Sequence, residues 1–222
     1  MKYYLIIFTF VLSFISHSQT IEKNVGDFST VKVFDLIHLK MISSDENKVV
    51  ISGENSRNVE VVNNNGTLKI RMNFREIFDG NQTNVTLYYN NIDVIDANEG
   101  ANITVNDQIK QYEIDLSVQE GGEITAEVET TYANYKAVTG GIINVTGSSK
   151  HQDISIYTGG VFNGKDFITD KTEVSINAAG EAYIHANTSV DAKVKAGGTV
   201  YIYGNPTDVD ESTLLGGRIK RM

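Results

Sequence analysis

Residues 135–145 read Tyr135-Lys136-Ala137-Val138-Thr139-Gly140-Gly141-Ile142-Ile143-Asn144-Val145. The same pattern returns 19 residues later as Ile154-Ser155-Ile156-Tyr157-Thr158-Gly159-Gly160-Val161-Phe162-Asn163-Gly164. In both stretches apolar and polar residues alternate up to a pair of glycines, and alternate again after it. Alternation of period two describes a strand with one buried and one wet face. A return of the whole pattern at a fixed interval describes a repeat architecture.

Working outward, the small pair recurs as Gly100-Ala101, Gly121-Gly122, Gly140-Gly141, Gly159-Gly160, Ala179-Gly180, Gly197-Gly198 and Gly216-Gly217. The second members lie 21, 19, 19, 20, 18 and 19 residues apart. Taking that second residue as an anchor exposes columns. Six before it stand Ile95, Leu116, Tyr135, Ile154, Val174 and Ala192, and four before it Ala97, Val118, Ala137, Ile156, Ile176 and Val194. Two after it stand Ile103, Ile124, Ile143, Phe162, Ala182 and Val200, and four after it Val105, Ala126, Val145, Gly164, Ile184 and Ile202. Of these 24 positions 23 are apolar, where a hydrophobic content of 41% predicts about ten. The columns between are mostly polar. Each strand therefore lies beside its counterpart in the next coil, and stacking buries an apolar face that one coil alone cannot bury. The expected fold is all-β: a right-handed parallel β-helix, or β-solenoid, of six to seven coils over residues 91–222. The small pair suits a sharp corner, where glycine accepts positive φ without a steric penalty. Coils about 4.8 Å apart give a rod of roughly 34 Å.

Residues 19–90 are also β-rich but less regular. Residues 28–43 alternate over a long run, residues 48–52 form a second strand, and residues 59–72 read as a hairpin turning at Asn63-Asn64-Asn65-Gly66. This part is expected to be irregular coils, or a cap over one open end of the solenoid and continuous with it.

The N-terminus reads as a secretory signal. Lys2 precedes an apolar run ending at Phe14 and Ile15, and Ser16 and Ser18 suit signal peptidase. Cleavage is expected after Ser18. The run falls short of the roughly 20 residues a membrane span requires, and no second run follows, so no span is expected in the mature chain. Without cysteine, an exported domain of this size relies on its own core. Removing Lys2 shifts the formal charge from −9 to −10. Such an acidic chain without basic patches is a poor partner for nucleic acid.

With these columns in view, the chain resembles the bacterial family described as "putative auto-transporter adhesin, head GIN domain". The likeness runs from about Val25 to the C-terminus. It rests on Gly26-Asp27-Phe28-Ser29-Thr30-Val31-Lys32-Val33, on Asn65-Gly66-Thr67-Leu68-Lys69-Ile70, on the repeated strand–small pair–strand unit, and on Ile202-Tyr203-Gly204-Asn205-Pro206. Family members often carry Gly-Ser-Gly at the corner, whereas this chain has Glu-Gly-Gly, Thr-Gly-Gly or Ala-Gly-Gly. The resemblance implies an exported β-solenoid with no established enzymatic activity and no catalytic residues to carry over. It places the protein in the periplasm, on the outer-membrane surface or in the medium.

Two outward clusters are candidate sites. Seven before the anchor stand Asp115, Asn134, Asp153, Glu173 and Asp191. Stacked carboxylates repel one another, so the row is either a divalent-cation site with oxygen ligands, Ca2+ foremost, or a solvated face that keeps the rod soluble. One carboxylate per coil lacks the dense ligand loop of calcium sites, which favours the solvated face and no cofactor. The second cluster pairs Tyr183 with Tyr201 and His185 with Tyr203, near Glu181 and Thr199. Exposed aromatics in register form either a platform for a cell-surface glycan or protein, or cross-strand pairs that stabilise the sheet. Catalysis finds little support: His38, His151 and His185 lie far apart without metal-ligand spacing, and no serine sits in a nucleophile elbow. The expected function is a non-enzymatic adhesin, binding or scaffold surface. The alternative is a carbohydrate-active enzyme or polysaccharide-binding protein on the same scaffold, because fold alone does not decide activity.

Overall fold

A computed structural model describes residues 20–222, Glu76 excepted. The expected signal segment, residues 1–18, lies outside the described residues. The chain forms a parallel β-solenoid of about seven turns. Each turn has a leading strand, a tight corner and a trailing strand, which runs on around a third side. From the second to the fifth small-pair corner, trailing and next leading strands fuse into long bent strands: Glu123–Val138, Ile142–Tyr157, Val161–Ile176 and Glu181–Val194; after the sixth, Thr199–Tyr203 and Asp208–Thr213 are separate.

The apolar columns stack as the alternation predicts. Ile154 lies beside Val174 and Val174 beside Ala192, while Ile156, Ile176 and Val194 form the neighbouring column. All 24 column positions are buried. Gly164, the one without a side chain, has a steric reason. A Cβ there would lie 2.4 Å from the Phe162 ring, which fills the vacated space. Phe162 stacks on Tyr135 at 5.0 Å between centroids, and Phe167 meets Tyr135 edge-on at 5.8 Å. This aromatic knot occupies the middle of the rod. Burial pushes the Tyr135 hydroxyl's pKa well up, and that hydroxyl has no hydrogen-bond partner among the described residues.

The corners differ from the expectation in one respect. Two consecutive residues take positive φ, and in four of the first five small-pair corners the first of them precedes the pair: Glu99 with Gly100, Glu120 with Gly121, Thr139 with Gly140, Thr158 with Gly159. The second member of the pair is small because the preceding coil presses against it. A Cβ on Gly122 would lie 2.3 Å from the carbonyl oxygen of Ala97, and one on Gly160 2.5 Å from that of Ala137. One glycine serves the turn and the other serves the stacking distance.

At the N-terminal end the coils stack out of chain order. Thr30–Val33 pairs in parallel with Val94–Ala97 on one side and with Thr67–Met72 on the other. His38–Ser43 likewise lies between Asn102–Val105 and Thr83–Tyr89. The long run 28–43 is thus broken by a corner, whose Asp35 and Leu36 take positive φ without glycine. Asp35 accepts hydrogen bonds from the Met72 and Phe78 amides, which steadies that corner. Antiparallel strands then close the end. Val59–Asn64 forms a hairpin with Thr67–Met72 through Asn65-Gly66, and Lys48–Gly53 pairs with both Thr83–Tyr89 and Ile21–Asn24. The opposite end is blunted differently. Glu211 and Arg221 occupy inward positions beside Ala192 and Ile202, and pair with each other at 2.7 Å. Inward charges of this kind discourage edge-to-edge association.

Candidate functional site

On the leading face the acidic row is in register as the spacing requires: Asp115, Asn134, Asp153, Glu173, Asp191 and, one coil further, Asp210. Asn134 donates to Asp115 Oδ1 at 2.7 Å, and Lys193 pairs with Asp191 at 2.6 Å. The Asp153 carboxyl reaches solvent, yet crowding by its surroundings raises its pKa, and the Glu173 charge raises it further. The carboxylates follow the rod axis instead of surrounding a point. Among the described residues no three His, Asp or Glu side chains converge on one metal position.

The trailing face carries the other cluster, and the structure brings all four of its residues together. Tyr183 and Tyr201 stack with centroids 4.6 Å apart and planes 4° from parallel. His185 and Tyr203 are paired beside them. Tyr183 Oη donates to Glu181 Oε2 at 2.7 Å, and this bond is the main reason its pKa is pushed up to about 12. Lys220 Nζ lies 5.0 Å from the centre of the Tyr201 ring, and Lys165 Nζ 4.9 Å from that of Tyr203. The Tyr183 and Tyr201 rings therefore cover each other and offer edges outward, unlike a flat stacking platform.

The aromatic pair ends a longer polar column that the sequence reading left unassembled. Thr104, Thr125, Asn144, Asn163, Tyr183, Tyr201 and Lys220 lie side by side. Asn163 donates to Asn144 Oδ1 at 2.7 Å, and Asn144 donates to Glu123 Oε1 at 2.8 Å. The signal was present, since the residues three after the anchor are Thr, Thr, Asn, Asn, Tyr, Tyr and Lys, with no aliphatic side chain among them. Beside this column runs a groove of about 530 Å³, whose other wall includes Glu127, Thr146, Lys165 and Tyr203. The coil register breaks here: partners shift between Asn144 and Gly147, and again between Asn163 and Ile168. The extra length carries Lys165 and Asp166, and the Lys165 carbonyl lies 3.1 Å from His185 Nδ1. Bulges of this kind gather at sites where a sheet must re-aim its side chains.

A third cluster also escaped the sequence reading. Tyr112 meets Tyr132 at 5.4 Å, and Tyr132 stacks on His151 at 4.8 Å. Tyr132 and His151 edge a second groove along the acidic row, of about 500 Å³. The outward column nine before the anchor (Tyr132, His151, Lys171) would have revealed it.

The sequence matches the family described as "Putative auto-transporter adhesin, head GIN domain" over residues 27–206. Comparison with curated proteins finds no match. Among solved structures, one titled a putative adhesin from Bacteroides fragilis superposes with a TM-score of 0.85 at 16% identity, covering 93% of this chain and 98% of that one. A putative adhesin from Parabacteroides merdae gives 0.70 at 17% identity, covering 92% and 95%. A protein from Parabacteroides distasonis titled a putative lipid binding protein gives 0.68 at 14%, covering 94% and 98%. At these identities the likeness establishes the fold. Among the described residues no helix is long and apolar enough to cross a membrane.

Proposed function

Because the chain belongs to this head GIN domain family of adhesin-like proteins, we propose that it is exported to the bacterial envelope and acts there as a non-catalytic binding surface, with the trailing-face groove as its recognition site. Export is supported by Lys2, the apolar run behind it and Ser16 and Ser18. The observation that carries the choice of face is the break in coil register at residues 163–168. A stack this regular departs from its own repeat beside the paired tyrosines, and the departure sets Lys165 over Tyr203 at the groove wall. A smaller shift between Thr169 and Lys171 borders the leading-face groove, but the acidic row itself is paired without a break from Lys171 to Ile176, and its carboxylates are spaced as a solvated surface would space them.

Retention on envelope fractions of the producing bacterium tests this reading. The chain from residue 19 onward is expected to be retained, and Tyr183→Ala/Tyr201→Ala, with unchanged circular dichroism, is expected to wash through. No reducing ends should be released from polysaccharide. Equal retention of both proteins, or turnover of a polysaccharide, contradicts it.

A further inference from the structure

We infer that the trailing-face groove takes a neutral, hydroxyl-rich linear glycan laid along the rod axis, held by hydrogen bonds to one amide or hydroxyl side chain per coil. This inference rests on the proposed binding role and names its ligand class.

The first argument is periodicity. One wall of the groove presents Thr125, Asn144 and Asn163 at successive coils, a spacing of about 4.8 Å. A surface that repeats the same polar group at a fixed interval offers equivalent contacts to a ligand that repeats too. Pyranose rings linked in an extended chain advance by a similar distance per unit. Solenoids present extended surfaces of this kind.

The second argument is chemistry. Asn163 donates to Asn144, and Asn144 donates to Glu123 and Thr125, which fixes both amide planes; Asn163 keeps an amide hydrogen and its carbonyl oxygen for a ligand, and Asn144 a further lone pair on its oxygen. Thr146 adds an exposed hydroxyl on the opposite wall. Such groups match sugar hydroxyls, which both donate and accept.

The third argument is charge. The lining charges are Glu127, Asp166 and Lys165, and Lys165 is engaged with the Tyr203 ring. A polyanion would meet two carboxylates with one committed cation against them. A polycation would find its row of acids on the other face. Neutral ligands remain. Ring stacking is not the main contact, because Tyr183 and Tyr201 cover each other and Lys220 lies over Tyr201.

Calorimetric titration with soluble neutral oligosaccharides of increasing length, beside uronic-acid oligomers of equal length, tests the assignment. Affinity is expected to rise with length until the ligand spans the groove, and to be absent for the acidic series. Asn144→Ala/Asn163→Ala should lower it at least tenfold. Thr146→Trp, which fills the groove without removing a hydrogen bond from the fold, should do the same. Overturning results are no binding of any neutral oligomer, binding of the acidic series instead, or binding indifferent to both variants. If envelope retention still depends on Tyr183 and Tyr201 while no neutral oligomer binds, the glycan assignment falls and the binding role stands.

Discussion

Alanine placed at the two adjacent corner glycines, Gly121 and Gly122, should have different effects for different reasons. Gly121 has φ +77° and nothing within 4 Å of the Cβ it would gain. Gly121→Ala therefore meets only the left-handed backbone penalty, about 1–2 kcal/mol. Gly122 has an ordinary φ, but its added methyl would lie 2.3 Å from Ala97 O and 2.7 Å from Ala97 C. Comfortable carbon contacts begin near 3.5 Å, so the coils must separate by roughly 1 Å at that point. The same Ala97 oxygen already accepts the Gln119 amide at 3.0 Å, which ties it in place. Overpacking against rigid backbone costs about 1–3 kcal/mol and sometimes more, and Gly122→Ala belongs at or above the upper end. Urea unfolding followed by circular dichroism should rank Gly122→Ala below Gly121→Ala. Gly121→Asn should recover much of the smaller loss, because Asn tolerates that backbone region. A Gly121→Ala loss equal to or greater than that of Gly122→Ala would refute the separation of roles.

Three further outcomes follow from the core and the acidic row. Tyr135→Phe removes a buried hydroxyl without a partner and should stabilise the protein by about 1 kcal/mol, read as a higher urea midpoint; a clear loss would mean the hydroxyl is bonded. Phe162→Ala should cost about 3–5 kcal/mol. Gly164→Ala, damaging alone because its methyl would meet the Phe162 ring, should be nearly silent in that background, and additive losses in the double-mutant cycle would contradict the contact. Asp153 has its pKa raised above 3.8, so its contribution favours the fold below that value and is lost as pH rises through the folded-state pKa. Asp153→Asn should accordingly stabilise the protein at pH 7, with the gain shrinking to nothing in acid, and a gain that grew in acid would reverse the sign.

The solenoid interior was legible because two periods act together: alternation along a strand and recurrence about every 19 residues. Where one of them lapses, so does legibility. The Asp35-Leu36 corner has no glycine to mark it, so residues 28–43 read as one strand. The inverted order of the first coils depends on which free edges pair, and no local pattern records that. A further inward column, eight before the anchor, is hidden by buried polar residues: Gln152 accepts from Thr172, and Thr172 is bonded to Thr169 inside the rod. The tyrosine cluster was found because aromatics stand out in an outward column. The asparagines beside it were passed over, because a polar residue on a wet face carries no signal until its neighbours are known. The bulge at residues 163–168 is a matter of pairing between coils and appears in the sequence only as the interval of 20 from Gly160 to Gly180, within a series that already runs from 18 to 21.

The account depends on neighbouring coils stacking in one register, and the absence of cysteine allows a direct test. Ser155 and Ser175 are register partners on the leading face, away from the trailing-face groove. Partner Cα atoms about 4.8 Å apart lie within disulfide range. Under mild oxidation Ser155→Cys/Ser175→Cys should close an intramolecular disulfide rapidly in the folded protein, and Ser155→Cys/Asn177→Cys, two residues out of register, should not. Closure of the second pair in preference to the first would contradict the stacking on which the fold and the groove both rest.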